Sequence, residues 1–402
     1  MRDRPGAAEG DFRLDRARVV DVRSGKIVEG SVVIEGGRIR RIGAPGSEDV
    51  PVVDAARRYV VPGLINCHSH LSIVFPFSEW DEHEPAAMTA LRCYRRGIDA
   101  LRSGVTTLRT VSEMHRADMA LRAMIEQGWV EGPRIYSGGC GICVTGGHGA
   151  GFGVLIADGA EAFRAEARRE IAAGADHLKI FLTGGIAQRN ETFDEPQMTV
   201  EEIAAVVSVA RSKNTYVTAH AGGGRALREA LDAGLACCEH GYFLDSGDVR
   251  ALVDHDAWLV PTLAVTRSSE WMERNRFAAW TIDKSLEAGD DHLASARRAA
   301  EAGVRLLVGT DLPPGETDRG SNITVREVEY LVDAGLSPLE ALRGATLYPA
   351  ELMRAEDRIG SLEPGCFADM LLVDSNPLED VRALRDVRMV IKGGKIVWQE
   401  KT

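Results

Sequence analysis

The run Pro62-Gly63-Leu64-Ile65-Asn66-Cys67-His68-Ser69-His70 sets two histidines two positions apart behind a short apolar stretch, Tyr59-Val60-Val61. On an extended strand, side chains at i and i+2 leave the same face, so both imidazoles can reach one cation. Such a pair arises by chance in many chains, and residues further along this one give it weight. Lys179, His220, His240 and Asp311 each stand at or just beyond the end of a later apolar, strand-like run. Six potential ligands at the ends of five strands make a metal-site pattern. Imidazole and carboxylate donors suit zinc and similar divalent ions.

The elements that must position these residues alternate. Strands are expected near 61–66, 105–110, 133–139, 175–183, 214–221, 235–241, 257–263 and 303–311, with helices such as 160–173, 200–213 and 225–233 between them. Gly104, Gly174, Gly234 and Gly303 fall where helix C-caps belong. Eight strand–helix units in series predict a (β/α)8 TIM-like barrel of the α/β class, whose chemistry gathers at the C-terminal ends of its strands. All six candidate ligands fall at those ends. Residues 12–60 instead read as short strands, with Ser31–Glu35 and Arg38–Ile42 flanking Gly36-Gly37. Phe367–Asp374, Val387–Lys392 and Lys395–Val397 repeat the pattern around Gly393-Gly394. Neither terminal piece buries much alone, so both are expected to join in one small β-sandwich domain. The expected division is 1–60 plus 357–402 for that domain and 61–356 for the barrel. Residues 269–302, with Trp271 and Trp280, read as one extended helix packed on the barrel or on a partner subunit.

The chain resembles the amidohydrolase superfamily over almost its whole length. The likeness rests on the His68/His70 run, Leu178-Lys179-Ile180 with Thr183-Gly184-Gly185, Thr218-Ala219-His220-Ala221, Glu239-His240-Gly241 and Val308-Gly309-Thr310-Asp311. The tail, Gly360 to Gly365 with Ala368-Asp369, is similar too. Within the superfamily it is most similar to the prolidase-like group of metal-dependent peptidases and amide hydrolases, to which imidazolonepropionase is related. Asn66 departs from the aspartate common before the family's His-x-His, at a position that is not a ligand.

The resemblance implies a binuclear centre of two divalent ions, zinc by preference. His68, His70 and Asp311 would hold one, and His220 and His240 the other. Lys179, carboxylated on its amine, would bridge them. An ammonium cannot ligate a cation, whereas a carbamate is a two-oxygen anion able to span ions about 3.5–4 Å apart. The plainer alternative is a surface or ion-paired lysine, since lysines rarely lie buried unpaired. A metal-bridging hydroxide would attack, and Asp311 would carry its proton to the leaving nitrogen. His148, in Gly146-Gly147-His148-Gly149, could hydrogen-bond the substrate carbonyl or face solvent. Tyr242 could donate to an oxyanion or a substrate carboxylate, or simply pack. Arg225, behind Gly222-Gly223-Gly224, could grip a carboxylate or lie solvated at a helix start, with Arg189 and Arg319 in reserve.

The expected reaction is cleavage of the C–N amide bond of a dipeptide or N-acyl amino acid. The alternatives are a urea, carbamate or lactone hydrolase on the same centre, or a mononuclear deaminase or cyclic-imide hydrolase. Deaminases of the superfamily carry a glutamate three residues after the strand-5 histidine; here that residue is Gly223. A net charge of −12 disfavours nucleic acid as partner. No apolar run approaches a membrane span, and Met1–Pro5 does not open a secretory signal. Seven cysteines, an odd count without framework spacing, suit a reducing cytoplasm, and Cys140-x-x-Cys143 lacks the second pair of a zinc ribbon. No dinucleotide-binding, P-loop or serine-hydrolase motif occurs. A small-molecule amide is the expected partner and a homo-oligomer the expected assembly.

Overall fold

Alternating burial builds the first sheet of this computed structural model, which describes residues 10–44, 46 and 49–400. The reading of Met1–Pro5 lies outside the described residues. Strand β1 (Phe12–Asp21) turns Phe12, Leu14 and Val19 inward. It pairs antiparallel with β2 (Lys26–Glu35), which continues to β3 (Arg38–Gly43). Gly36 and Gly37 both hold positive φ, 57° and 75°, which a two-residue primed hairpin turn demands. Strands β4 (Val52–Asp54) and β5 (Tyr59–Pro62) return parallel to β1.

The chain then enters the barrel. The wall runs through β6 (Leu64–Ser69), β7 (Val105–Thr110), β8 (Arg134–Ser137) and β9 (Ile142–Cys143), with β10 (Leu155–Ile156) lying beside β9. It continues through β11 (Leu178–Phe181), β12 (Val217–Gly222), β13 (Cys237–Tyr242) and β14 (Trp258–Val260), all parallel. Intervening helices include Ala160–Ala173 and Arg225–Ala233, capped by left-handed Gly174 and Gly234 at φ 112° and 107°. After the barrel, a short hairpin of β15 (Thr317–Asp318) and β16 (Ser321–Asn322) precedes helix Ile323–Asp333. Strands β17 (Met370–Val373), β18 (Val387–Lys392) and β19 (Lys395–Gln399) then join β5. The terminal sheet thus has eight strands in the order β19-β18-β17-β5-β1-β2-β3, with β4 beside β1. Its two Gly-Gly turns meet: Ala368 N–H donates to Gly37 O at 2.9 Å, and Gly394 N–H to Ala368 O at 3.1 Å. Phe12, Ile34, Ile39, Met370 and Ile391 fill the space between the strands.

Three expectations change. The first strand is not one run over 61–66 but β5 and β6, which belong to different sheets and separate at Gly63. A side chain there would meet Thr106 within 2.1 Å. The eighth strand, expected at 303–311, is reduced to one parallel bridge between Leu306 and Leu259. The segment still closes the wall, because Leu307 N–H donates to Leu259 O at 2.9 Å and Cys67 N–H to Val308 O at 2.7 Å. The helix expected over 269–302 is broken into Ser269–Arg274 and Ala279–Glu301, with Arg276 at φ 58° in the gap.

Candidate metal centre

The six residues singled out by spacing converge at the C-terminal mouth of the barrel, where they line one cavity of ≈130 Å³. His68 Nε2 and His70 Nε2 stand 3.1 and 2.9 Å from the same Asp311 oxygen, Oδ1. One donor atom from each of these three residues lies within 4.8 Å of the others. The His240 ring sits 4.9 Å from that of His68 and 4.4 Å from that of His220, measured between centroids. Lys179, 2% exposed, lines the same cavity.

Each imidazole is pinned through one ring nitrogen, leaving the other for a ligand. His68 Nδ1 donates to Glu239 Oε2 at 2.7 Å, and His70 Nδ1 to Ser112 O at 3.0 Å. His240 Nδ1 hydrogen-bonds Thr262 Oγ1 at 2.7 Å, while His220 Nε2 donates to Gly184 O at 3.1 Å. This second layer fixes tautomer and ring orientation in metal sites. Burial, together with neighbouring His148 or His220, holds His220 and His240 well below the ordinary imidazole range, so they stand neutral as ligands must. Burial pushes the Asp311 carboxyl up, but His68 and His70 outweigh it and keep it ionised. Burial likewise pushes the Lys179 amine down, against the opposing pull of Glu239 and Asp311. That shift favours the neutral amine, the form that reacts with carbon dioxide. Four anchored imidazoles, a carboxylate and a buried lysine make a donor set of the kind that binds divalent ions, and His68, His70 and Asp311 bring their donor atoms close enough to share one.

Backbone strain marks two of these positions. His240 and Asp311 have φ of 71° and 57°, the left-handed region that side chains avoid unless the surroundings impose it. Thr262, which holds His240, shares it at 52°. At His240 the strain has a visible use. Strict strand alternation would send Glu239 and His240 to opposite faces. Both instead meet His68, Glu239 at its Nδ1 and His240 at its ring face.

Several functional side chains carry no spacing signal. Glu239 is fully buried between Arg109 and His68. Burial alone would raise its carboxyl, yet Arg109 and then His68 bring it far below the usual range. Lys284 donates to the carbonyls of Gly185, Gln188 and Glu191 at 2.7, 2.7 and 2.8 Å and so ties down the loop after β11. Gly185 lets that loop pass against the site, since a Cβ there would lie 2.7 Å from His148 and 2.8 Å from His220. Asn66 donates to Thr310 Oγ1 at 2.9 Å and Thr324 Oγ1 at 3.0 Å, and so joins β6 to the segment bearing Asp311.

The remaining sequence candidates divide. His148 lines the cavity, stacks on His220 at 4.1 Å and hydrogen-bonds Glu191 Oε2 through Nδ1 at 2.6 Å. Tyr242 lines it as well, its ring parallel to that of His240 at 5.2 Å. Arg225 does not: its side chain is 72% exposed and pairs with Glu229 on its own helix. That corrects the expectation of a substrate contact there, because the start of helix Arg225–Ala233 points the side chain to solvent. Arg189 and Arg319 are exposed too. The seven cysteines are buried and unpaired.

His292, which no motif singles out, braces the site. Its Nε2 donates to His240 O at 3.0 Å and its Nδ1 meets Thr266 Oγ1 at 3.0 Å. Burial lowers its imidazole to about 4, so the folded protein binds that proton more weakly than the unfolded chain. Stability from this residue is therefore complete above pH 6.5 and is lost as pH falls towards 4, by about 3 kcal/mol. Melting temperature measured from pH 7 to 4 should fall less steeply for His292→Gln than for the parent; identical slopes would remove His292 from the acid transition.

Comparison with known proteins agrees with this geometry. Residues 59–397 match the Amidohydrolase family. The ochratoxinase of Aspergillus niger is 28% identical over 375 residues, covering 84% of this chain and 75% of that one. Its crystal structure superposes with a TM-score of 0.84, at 25% identity, over 98% of this chain and 97% of that one. An imidazolonepropionase of Streptomyces avermitilis is 27% identical over 393 residues, covering 87% and 82%. A prolidase crystallised with N-methylphosphonate-L-proline superposes with a TM-score of 0.88, at 28% identity, over 97% of this chain and 100% of that one.

Proposed function

The chain belongs to the amidohydrolase family, and from that membership we propose that it hydrolyses the C–N amide bond of a dipeptide or N-acyl amino acid. The observation that carries this reading is the set of four anchored imidazoles with Lys179 and Asp311 on the floor of one cavity. His68, His70 and Asp311 would hold one divalent ion, zinc by preference, and His220 and His240 the other, with carboxylated Lys179 between them. Bound there, the pair would supply Lewis acidity to the scissile carbonyl and an activated water at neutral pH.

The chain's own groups account for the rest. Asp311 Oδ1 faces both His68 and His70 and is kept ionised, so it can accept a proton and pass it to the leaving nitrogen. His148, with Nδ1 engaged by Glu191, has Nε2 free for a carbonyl or carboxylate oxygen. Tyr242 is pushed well above its ordinary value by burial and then by Asp311, so its hydroxyl stays a donor.

A deaminase reading has less support. A side chain at position 223 would meet Asp248 Oδ2 and Phe243 O within 2.6 Å, so no acidic donor fits there. Likeness to imidazolonepropionase keeps cyclic-imide hydrolysis second. The test is a screen of dipeptides and N-acyl amino acids, each as the free acid and the C-terminal amide, with released amine as the readout. Since Arg225 is solvated, carboxylate recognition falls to His148 and Tyr242. One charge-assisted hydrogen bond is about 1.5–3 kcal/mol, so capping should lower kcat/KM roughly tenfold or more. Equal rates on capped and free substrates would transfer the assignment to ureas, carbamates or lactones.

A further inference from the structure

The walls of the cavity differ from its floor. The segment after β6 contributes Phe75, Phe77 and Trp80, the loop after β9 contributes Phe152, and the broken helix after β14 contributes Met272 and Phe277. These rings form one continuous array. Phe75 stacks on Phe277 at 4.9 Å, Phe77 meets Phe152 at 5.0 Å, and Phe152 meets Trp80 at 6.0 Å. Behind them Trp271, fully buried, closes edge-on against Phe75 at 5.1 Å. The break at 275–278 serves this array, because an unbroken helix would not bring Phe277 back onto Phe75.

Charge is excluded from the same wall. Among the described residues lining the cavity there is no arginine, Lys179 is the one lysine, and Asp311 is the one carboxylate. Both belong to the floor. A charged group pressed against these rings would lose its water, an anion gaining no partner and a cation recovering only part of the loss through the ring faces. A planar apolar group would keep dispersion contacts on both faces.

We propose that this aromatic wall is a subsite for an uncharged, ring-bearing group attached next to the scissile amide, so that the preferred substrates are amides with a bulky aromatic substituent. The proposal rests on the amide-hydrolase reading and narrows it. Burial of a phenyl ring relative to a methyl group raises kcat/KM roughly tenfold to a hundredfold.

Two substrate series test it in the metal-loaded protein. One varies the amine side (N-acetyl derivatives of phenylalanine, leucine, alanine, lysine and aspartate), and the other the acyl side (benzoyl- against acetyl-glycine). The expected result is a tenfold or greater phenyl-over-methyl ratio in at least one series, with the charged side chains poorest. Phe277→Ala and Phe152→Ala should lower that ratio; Phe75→Leu, which removes the ring but keeps most of the bulk, should lower it too and covers the case in which they fail to fold. Ratios within threefold of unity in both series, with amides still cleaved, overturn the subsite and leave the amide reading standing. If no amide is cleaved, the amide reading falls, and calorimetric titration with benzamide and acetamide decides the subsite. Benzamide binding at least tenfold tighter upholds it, and equal binding overturns it.

Discussion

Lys179→Ala should lose nearly all bound metal and roughly three orders of magnitude in kcat. The expectation rests on the surroundings of the amine. Lys179 is almost fully buried among four histidines, and burial favours its uncharged form. A neutral amine carboxylated there would become a useful ligand, and on the proposed two-ion arrangement its removal would take a shared anion from both ions at once. Bicarbonate with a short carboxylic acid, small enough to occupy the vacated bridge, should restore part of the metal and part of the rate. Elemental analysis and kcat measured on the same sample provide the check. Retention of metal and rate by Lys179→Ala would return the residue to an ordinary buried cation.

Asp311→Asn differs in kind. Its Oδ1 lies 3.1 and 2.9 Å from Nε2 of His68 and His70, and the carboxyl is held well below its ordinary range beside them. The amide that replaces it cannot take a proton from water or deliver one to a leaving nitrogen. General acid–base groups contribute about 10²–10⁴ in rate, so kcat should fall by that factor while metal content falls less than in Lys179→Ala. Left-handed Asp311 also favours this substitution as a probe, because asparagine tolerates that backbone better than most residues. Near-native kcat in this variant would assign proton transfer elsewhere, with His148 the next group to test.

The candidate ligands were legible because each stands in or just beyond an apolar, strand-like run, and barrel strands present such side chains to one mouth. What supports them was not. Glu239 adjoins a ligand in sequence, and period-two alternation assigns it to the other face; only the φ of 71° at His240 lets both reach His68. The eighth strand followed the apolar pattern of Val304–Val308, yet only Leu306 forms a β-bridge, and the segment is held by a few hydrogen bonds to Leu259 on one side and to Cys67 and His68 on the other. Arg225 looked usable because it follows the glycines behind His220, but the direction of a helix's first side chain depends on how the helix leaves the barrel. The aromatic wall was invisible for another reason. Phe75, Phe152 and Phe277 lie far apart in the chain, with no common period, and the break that returns Phe277 to the cavity falls inside a stretch whose composition reads as continuous helix.

The binuclear centre is the claim on which the rest depends, and metal stoichiometry tests it most directly. Protein stripped with a chelator and titrated with zinc in the presence of bicarbonate should regain full amidase activity at two equivalents per chain, and elemental analysis of the restored sample should find two. Full activity at one equivalent, with one ion bound, would contradict the account.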